Sequence, residues 1–403
     1  MTHLSATTRA ANQHDTNTGL ARSTRKPQKA SLRRIVAWAG AGALTASLGV
    51  GALGLGDAGA EAAAPARGGE RSRSATEFVS VHHIGPISRE GTPLAMTAPA
   101  RGTVFVLMKN RRGQAEVHRI TTPARGNAKP SVHRYALHTP LAEATNVTID
   151  GTAANDVWVT ANGAAWHFGG RGFTRVALPS GASAVTVADA PGPKAYLGTR
   201  SAKGGAVWLY TSGAKGASWT SLGHASRENF PDWGLPILDL RFVDGRLFGM
   251  WAQQYSALLN RAVYEHGSGT WTQRYLASSQ HPSGGVSQYT WLTPKAGSHV
   301  LLGLNQRPSS LPWLTTSTWS GGAVESCSPG TPSASASEKA AVLNDGRLIT
   351  AGLRIRSSAC GTERPLRSAP LDETLAITAE RGSNTAWALT RKGNVISLQR
   401  FVG

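Results

Sequence analysis

In Ile237-Leu-Asp-Leu-Arg-Phe-Val243 an acid and a base stand two residues apart inside an apolar run. On a β-strand, residues i and i+2 share a face, so Asp239 and Arg241 would point the same way. A carboxylate acceptor beside a planar five-donor guanidinium is a group that can hold a polar ligand. The alternative use of such a pair is a structural ion pair. Two segments carry a second kind of chemistry. Arg227-Glu-Asn-Phe-Pro-Asp-Trp-Gly234 places Trp233 among Asn229 and Asp232, and Gln306-Arg-Pro-Ser-Ser-Leu-Pro-Trp313 ends on another tryptophan. A polar-flanked Trp on a loop can stack on a sugar ring or anchor a protein partner; its other fate is to fold back on the nearest sheet.

Catalytic and metal-binding patterns are missing. His82 and His83 are adjacent, so on a strand they face opposite ways and cannot share one ion, and the other ten histidines are scattered. The chain contains no Gly-rich phosphate loop, Gly-x-Ser-x-Gly elbow or His-Glu-x-x-His helix. Neither cysteine sits in a Cys-x-x-Cys or Cys/His cluster. No catalytic residue, metal ligand or cofactor is expected from these patterns.

The elements that must position Asp239 and Arg241 are repetitive. A turn residue and a polar residue lead into short apolar runs that start at 104, 157, 195, 247, 300, 348 and 386. Asn155-Asp156-Val157-Trp158-Val159 and Asn384-Thr385-Ala386-Trp387-Ala388 are two instances. Strands recurring at this interval predict an all-β repeat architecture, a β-propeller. The second repeat reads as four strands, 146–150, 156–160, 165–168 and 173–178, separated by Gly- and Asn-rich turns. The third reads 184–188, 195–199, 207–210 and 219–222, and the fourth 237–243, 247–252, 262–266 and 271–276. The last repeat supplies only three, 375–378, 386–390 and 395–401. Glu77–His82 matches the missing outer strand, so 77–82 is expected to pair with 395–401 and close a seven-bladed ring. The sixth repeat has no clear outer strands, which leaves six blades as the alternative. In a propeller the first strand of each blade lines the channel, so Asp239 and Arg241 would face it. Trp158, Trp166, Trp208, Trp219, Trp251, Trp271 and Trp387 are expected between blades, where large aromatics supply contact area.

Ser212-Gly-Ala-Lys-Gly-Ala-Ser-Trp219 resembles the Asp-box hairpin, Ser-x-Asp-x-Gly-x-Thr-Trp, of sialidase-like exported propellers, with Ala214 where the Asp would stand and Ser218 for Thr. That resemblance covers eight residues, and in that family the box stabilises a turn and does no catalysis. The early Phe-Arg-Ile-Pro arginine motif of sialidases is absent. More broadly, 91–403 is similar to secreted bacterial propeller proteins of unassigned function, a resemblance that implies the fold and brings no site residues.

The chain carries a formal net charge of +19. Without residues 1–64 it keeps 35 cations against 20 acids, a balance of +15, so the folded part is itself basic. A basic surface attracts anionic polymers, though solvated surface charge alone would produce the same balance. No block of five or six like charges suggests a nucleic-acid arm. Residues 1–64 read as an export signal: a long polar start ending in Leu32-Arg33-Arg34, an uncharged core over 35–55, and small residues around 58–62. Ser31–Val36 is similar to a twin-arginine signal, with general secretion as the other route. A retained membrane anchor is the third reading, disfavoured by the Gly content of the core. Residues 65–75 read as a flexible linker and 76–403 as one propeller domain. In an exported protein Cys327 and Cys360 form a reasonable disulfide, contributing roughly 3–4 kcal/mol. The expectation is a secreted, monomeric, non-catalytic binding propeller, free of the membrane once the signal is removed. Its partner would be a glycan, an anionic wall polymer or a protein, with an extracellular glycosidase or lyase as the alternative.

Overall fold

The computed structural model describes residues 78–123, 129–141, 147–201, 204–213, 216–227, 230–243, 245–255, 258–277, 286–292, 299–305, 313–320, 323–327, 340–350, 354–356, 363–365 and 373–402. The chain divides into two compact units, Met1–Glu70 and Arg71–Gly403, and every described residue belongs to the second.

Strand β1 (Phe78–Pro86) leads through the single turn α1 (Ile87–Glu90) into a succession of antiparallel meanders. Sheet 1 is β2 (Thr92–Ala100), β3 (Thr103–Lys109), β4 (Gln114–Thr121) and β5 (Ser131–Pro140). Sheet 2 is β6 (Val147–Ala153), β7 (Asp156–Ala161), β8 (Ala164–Phe168) and β9 (Phe173–Val176). Sheet 3 is β10 (Ser183–Ala190), β11 (Lys194–Ser201), β12 (Gly204–Gly213) and β13 (Gly216–Ser221). A small hairpin, β14 (Ser226–Arg227) with β15 (Phe230–Gly234), intervenes. Sheet 4 is β16 (Ile237–Val243), β17 (Arg246–Tyr255), β18 (Leu258–Gly267) and β19 (Thr270–Ala277). Sheet 5 follows as β20 (Val286–Leu292), β21 (His299–Asn305), β22 (Trp313–Ser320) and β23 (Ala323–Cys327). Sheet 6 has four strands of three residues, β24 (Ala340–Val342), β25 (Leu348–Thr350), β26 (Arg354–Arg356) and β27 (Glu363–Pro365). Sheet 7 takes β28 (Glu373–Ala379), β29 (Thr385–Lys392) and β30 (Val395–Val402) from the end of the chain and β1 from its other side, in the order β1-β30-β29-β28. The architecture is all-β and propeller-like.

The core lies between successive sheets. In β3, Val104, Val106 and Met108 pack with Trp387, Leu389 and Leu398 of sheet 7. The alternate residues Phe105 and Leu107 pack with Val157, Val159, Trp166 and Phe168 of sheet 2. Because consecutive side chains of a strand point to opposite faces, a sheet covered on both sides must be apolar at every position. That is why the second strands read as unbroken apolar runs. The tryptophans complete the joints: Trp219 Nε1 donates to Ala177 O of sheet 2 at 2.7 Å, and Trp271 Nε1 donates to Leu222 O at the end of sheet 3 at 2.9 Å. Both lie in a fourth strand and both reach the residue just past the fourth strand of the previous sheet, so one repeat device serves two joints.

Strand β1 runs antiparallel to β30 from Phe78↔Phe401 to Pro86↔Val395, with irregularities between Ser80 and His82 and between His83 and Gly85. The pairing extends four residues beyond the 77–82 segment read from the sequence. Two expectations need correction. The segment around Trp233 was read as a loop, yet Phe230–Gly234 pairs with Ser226–Arg227 as a hairpin. Trp313 was read as a loop residue, yet it opens β22 opposite Asn305. Trp313-Leu-Thr-Thr-Ser-Thr-Trp319 is rich in β-branched and aromatic residues, and that local preference extends the strand back to the tryptophan. Cys327 ends β23, while Cys360 and residues 1–64 lie outside the described residues. Among the described residues no helix is long and apolar enough to cross a membrane.

Candidate functional site on the first strands

First strands lie beside one another in two runs: β6 beside β2 and β10, with β16 next to β10, and β24 beside β20 and β28, with β28 next to β2. Their registers set common levels. Thr148, Thr186 and Asp239 stand opposite Thr160, Gly198 and Met250 of the second strands. Two residues on, Asp150, Ala188 and Arg241 stand opposite Trp158, Tyr196 and Phe248. The corresponding positions of β20 are Tyr289, opposite Gly303, and Trp291, opposite Leu301. Sequences that are unremarkable alone are thus stacked into one polar wall across sheets 2, 3 and 4.

Asp239 and Arg241 form the expected pair, with Arg241 Nη2 3.3 Å from Asp239 Oδ2. The other carboxylate oxygen accepts the Thr186 hydroxyl at 3.0 Å and the Leu240 N–H at 2.9 Å. Side-chain exposure is 36% for Arg241 and 20% for Asp239, so protein surrounds the pair while solvent still reaches it. Burial pushes the Asp239 carboxyl above the usual carboxylate range, against the opposing pull of Arg241, Thr186 and the Leu240 amide, and Asp150 adds to the rise. For Arg241, burial works against its charge, but Asp239 and Asp150 outweigh it and hold the guanidinium above its ordinary value.

Asp150 and Asp189 were not singled out by the sequence. Asp150 Oδ2 accepts the Asp189 N–H at 2.9 Å and its Oδ1 accepts the Gly151 N–H. Asp189 reciprocates: Oδ2 accepts the Thr152 N–H at 2.6 Å and Oδ1 the Ala190 N–H at 3.0 Å. The two carboxyls therefore bridge the first strands of sheets 2 and 3. Asp189 is fully buried, and burial first, then Asp156 and Asp150, push its pKa up to about 8, the Thr152 hydrogen bond opposing. The sequence signal that could have found both is an Asp near the end of a first strand, Thr148-Ile-Asp150 and Val187-Ala-Asp189.

The same strand ends carry a second junction. Buried Glu380 accepts the Gly102 N–H at 2.9 Å and Trp387 Nε1 at 3.1 Å through Oε2, and the Ser383 hydroxyl at 3.1 Å through Oε1. Next to it, the Arg381 N–H donates to Ala98 O and its guanidinium to Gly151 O at 3.1 Å.

Of the six residues proposed from sequence, the structure brings together Asp239 and Arg241. Asp232 and Trp233 fall in β15, Trp313 opens β22, and Asn229 lies outside the described residues. Among the described residues no group of three His, Cys, Asp or Glu is arranged to hold a metal ion.

No family model matches the sequence. No curated protein matches it either. Among solved structures, the chain is similar to the polysaccharide lyase Uly1 at 9% identity and a TM-score of 0.48, over 78% of this chain and 90% of that one. It is also similar to a protein described as the extracellular domain of a one-component system from B. thetaiotaomicron, at 11% identity and a TM-score of 0.49. That match covers 79% of this chain and 42% of the other.

Proposed function

We propose that this protein is an exported, non-catalytic, seven-bladed β-propeller, closed by β1 on β30, that binds a glycan at the wall formed by its first strands. Seven four-stranded sheets in succession support the blade count, and the β1–β30 ladder supports the closure. The observation that carries the binding reading is the Asp239–Arg241 pair. It is solvent-accessible on an inner strand and preset by Thr186 and the Leu240 amide, so a ligand meets an oriented acceptor and donor. Vicinal sugar hydroxyls, each both donor and acceptor, match such a pair. Asp232 and Trp233 on the β14–β15 hairpin, Trp313 on β22, and Asn229 would extend the contact surface. Asp150, Asp189 and Asp239 each already accept backbone N–H groups, which favours holding over catalysis. Export by the 1–64 segment and a Cys327–Cys360 disulfide belong to the same reading, as does a monomeric state.

A glycan array probed with the 65–403 protein tests it. A defined glycan set should bind, and Arg241→Ala should weaken it by roughly ten- to a hundredfold, the worth of hydrogen bonds to a charged group. Unchanged binding in both Arg241→Ala and Asp239→Asn would remove the site.

The raised pKa of Asp239 supports a second reading, a glycosidase or lyase, because a general acid must hold its proton near neutrality. Depolymerisation of a bound glycan, lost in Asp239→Asn, would select it.

A further inference from the structure

In an antiparallel meander the first-to-second and third-to-fourth turns lie at the same end of the sheet. In sheet 1 this is explicit, since Thr103 stands opposite both Ala100 and Thr121. At this end the Gly102 N–H to Glu380 bond holds the turns of sheets 1 and 7 together, and Arg101 precedes Gly102 and Arg381 follows Glu380 by a single residue. Arg381 is further pinned by Gly151 O of sheet 2, and the Asp189–Thr152 bond brings sheet 3, with Lys194 at the start of β11, to the same end. Lys129 and Arg171 occupy third-to-fourth turns there. All five are exposed, and none forms an ion pair with a described acid.

Four of the acids described at this end are engaged within the fold. Glu380 is buried with both oxygens hydrogen-bonded, Asp189 is buried, Asp156 holds His167 and Asp345 holds Arg347. Exposed cations gathered on one end repel one another, and that repulsion is relieved by an anion. We propose that this turn end is a docking surface for a linear acidic polysaccharide, its carboxylates engaged by Arg101, Arg381 and Lys194 and its flanks by Lys129 and Arg171. Guanidinium groups favour carboxylates through paired N–H donors, which suits uronate units spaced along a chain. The choice of a polysaccharide among anionic polymers rests on the glycan reading of the Asp239–Arg241 site; the position of the surface does not.

The test is polygalacturonate binding to the folded 65–403 protein at two salt concentrations, with dextran and double-stranded DNA as further arms. Polygalacturonate should bind and dextran should not. Arg101→Glu/Lys194→Glu, which touches no hydrogen bond of the fold, should weaken binding about tenfold and lower the salt slope by about one per cation lost. Arg101→Glu/Arg381→Glu, which also gives up the Gly151 contact, should weaken it at least as much. The proposal fails if Arg101→Glu/Lys194→Glu binds polygalacturonate like the parent protein, or if DNA binds as tightly as the uronate polymer. If Arg241→Ala abolishes array binding while the turn variants leave polygalacturonate untouched, the first-strand site survives and the turn surface does not.

Discussion

Two regions of this molecule join neighbouring elements with titratable groups, and they do so with opposite charge logic. Between sheets 2 and 3, carboxyls do the joining: Asp150 and Asp189 accept each other's backbone neighbours, and Asp189 is buried deeply enough to favour its protonated form. Along β1, basic groups crowd instead. The charges of His83, His118 and Arg134 all act on His82, and burial followed by those three charges pushes its pKa down. Burial likewise lowers His118 despite its 2.6 Å contact with Glu116, which opposes the shift. Buried Glu90 of α1 answers with Arg134 at 2.7 Å and Arg89 at 3.6 Å. The inner joint is thus built to keep a proton and the β1 seam is built to stay without one. A single pH change should strengthen one and weaken the other.

The largest expected effect is at the inner joint. Because the folded pKa of Asp189 is raised from 3.8 to about 8, the folded state binds the extra proton between those values. Its stabilisation is full below about pH 4 and is lost as pH rises through about 8, a swing on the order of 5 kcal/mol. Asp189→Asn, which keeps one acceptor and cannot ionise, should lose the fall in denaturant midpoint that the parent protein shows as pH rises towards 8. A parent-like pH slope in the variant would show that Asp189 is not the titrating group.

The seam should respond the other way and by less. With His82 and His118 lowered from 6.5, the native state disfavours their protonation, so stability is intact above pH 6.5 and declines as pH falls below it. Protection factors of the β1 amides, corrected for the intrinsic pH dependence of exchange, should fall between pH 7 and 5, and His82→Asn/His118→Gln should flatten that fall. Acid-induced exchange that begins in β10 before β1 would reverse the comparison.

The smallest effect should come from a charge group in neither region. Glu265 meets Arg274 at 2.7 Å and Arg246 at 3.5 Å on exposed stems, so Arg274→Ala should cost under about 1 kcal/mol at any pH in urea unfolding. A larger loss would mean that surface pairs, and not buried carboxyls, dominate joint energetics.

These regions also separate what was legible in the sequence from what was not. The strands of sheets 2, 3, 4 and 7 were readable because alternation, Gly/Asn turns and aromatic runs are local properties. Asp239 and Arg241 were readable for the same reason, being two residues apart on one strand. Sheet 6 was hard to read because three-residue strands carry too little pattern. The placing of Trp233 and Trp313 on loops failed because polar and Pro-rich neighbours masked short segments with strand preference.

By itself the sequence determined the all-β repeat grammar, the apolar second strands and the partnership of 77–82 with the C-terminal strand, since each follows from side-chain period and turn chemistry over a few residues. Only the tertiary structure decided that Asp150 would meet Asp189 from 39 residues away, that Thr186 would hold Asp239 from 53, and that Gly102 would reach Glu380 from 278. Nothing local distinguishes those acids from solvated ones. Their partners are backbone amides and hydroxyls, which every segment possesses, and packing one sheet against the next selects which of them a buried carboxyl meets.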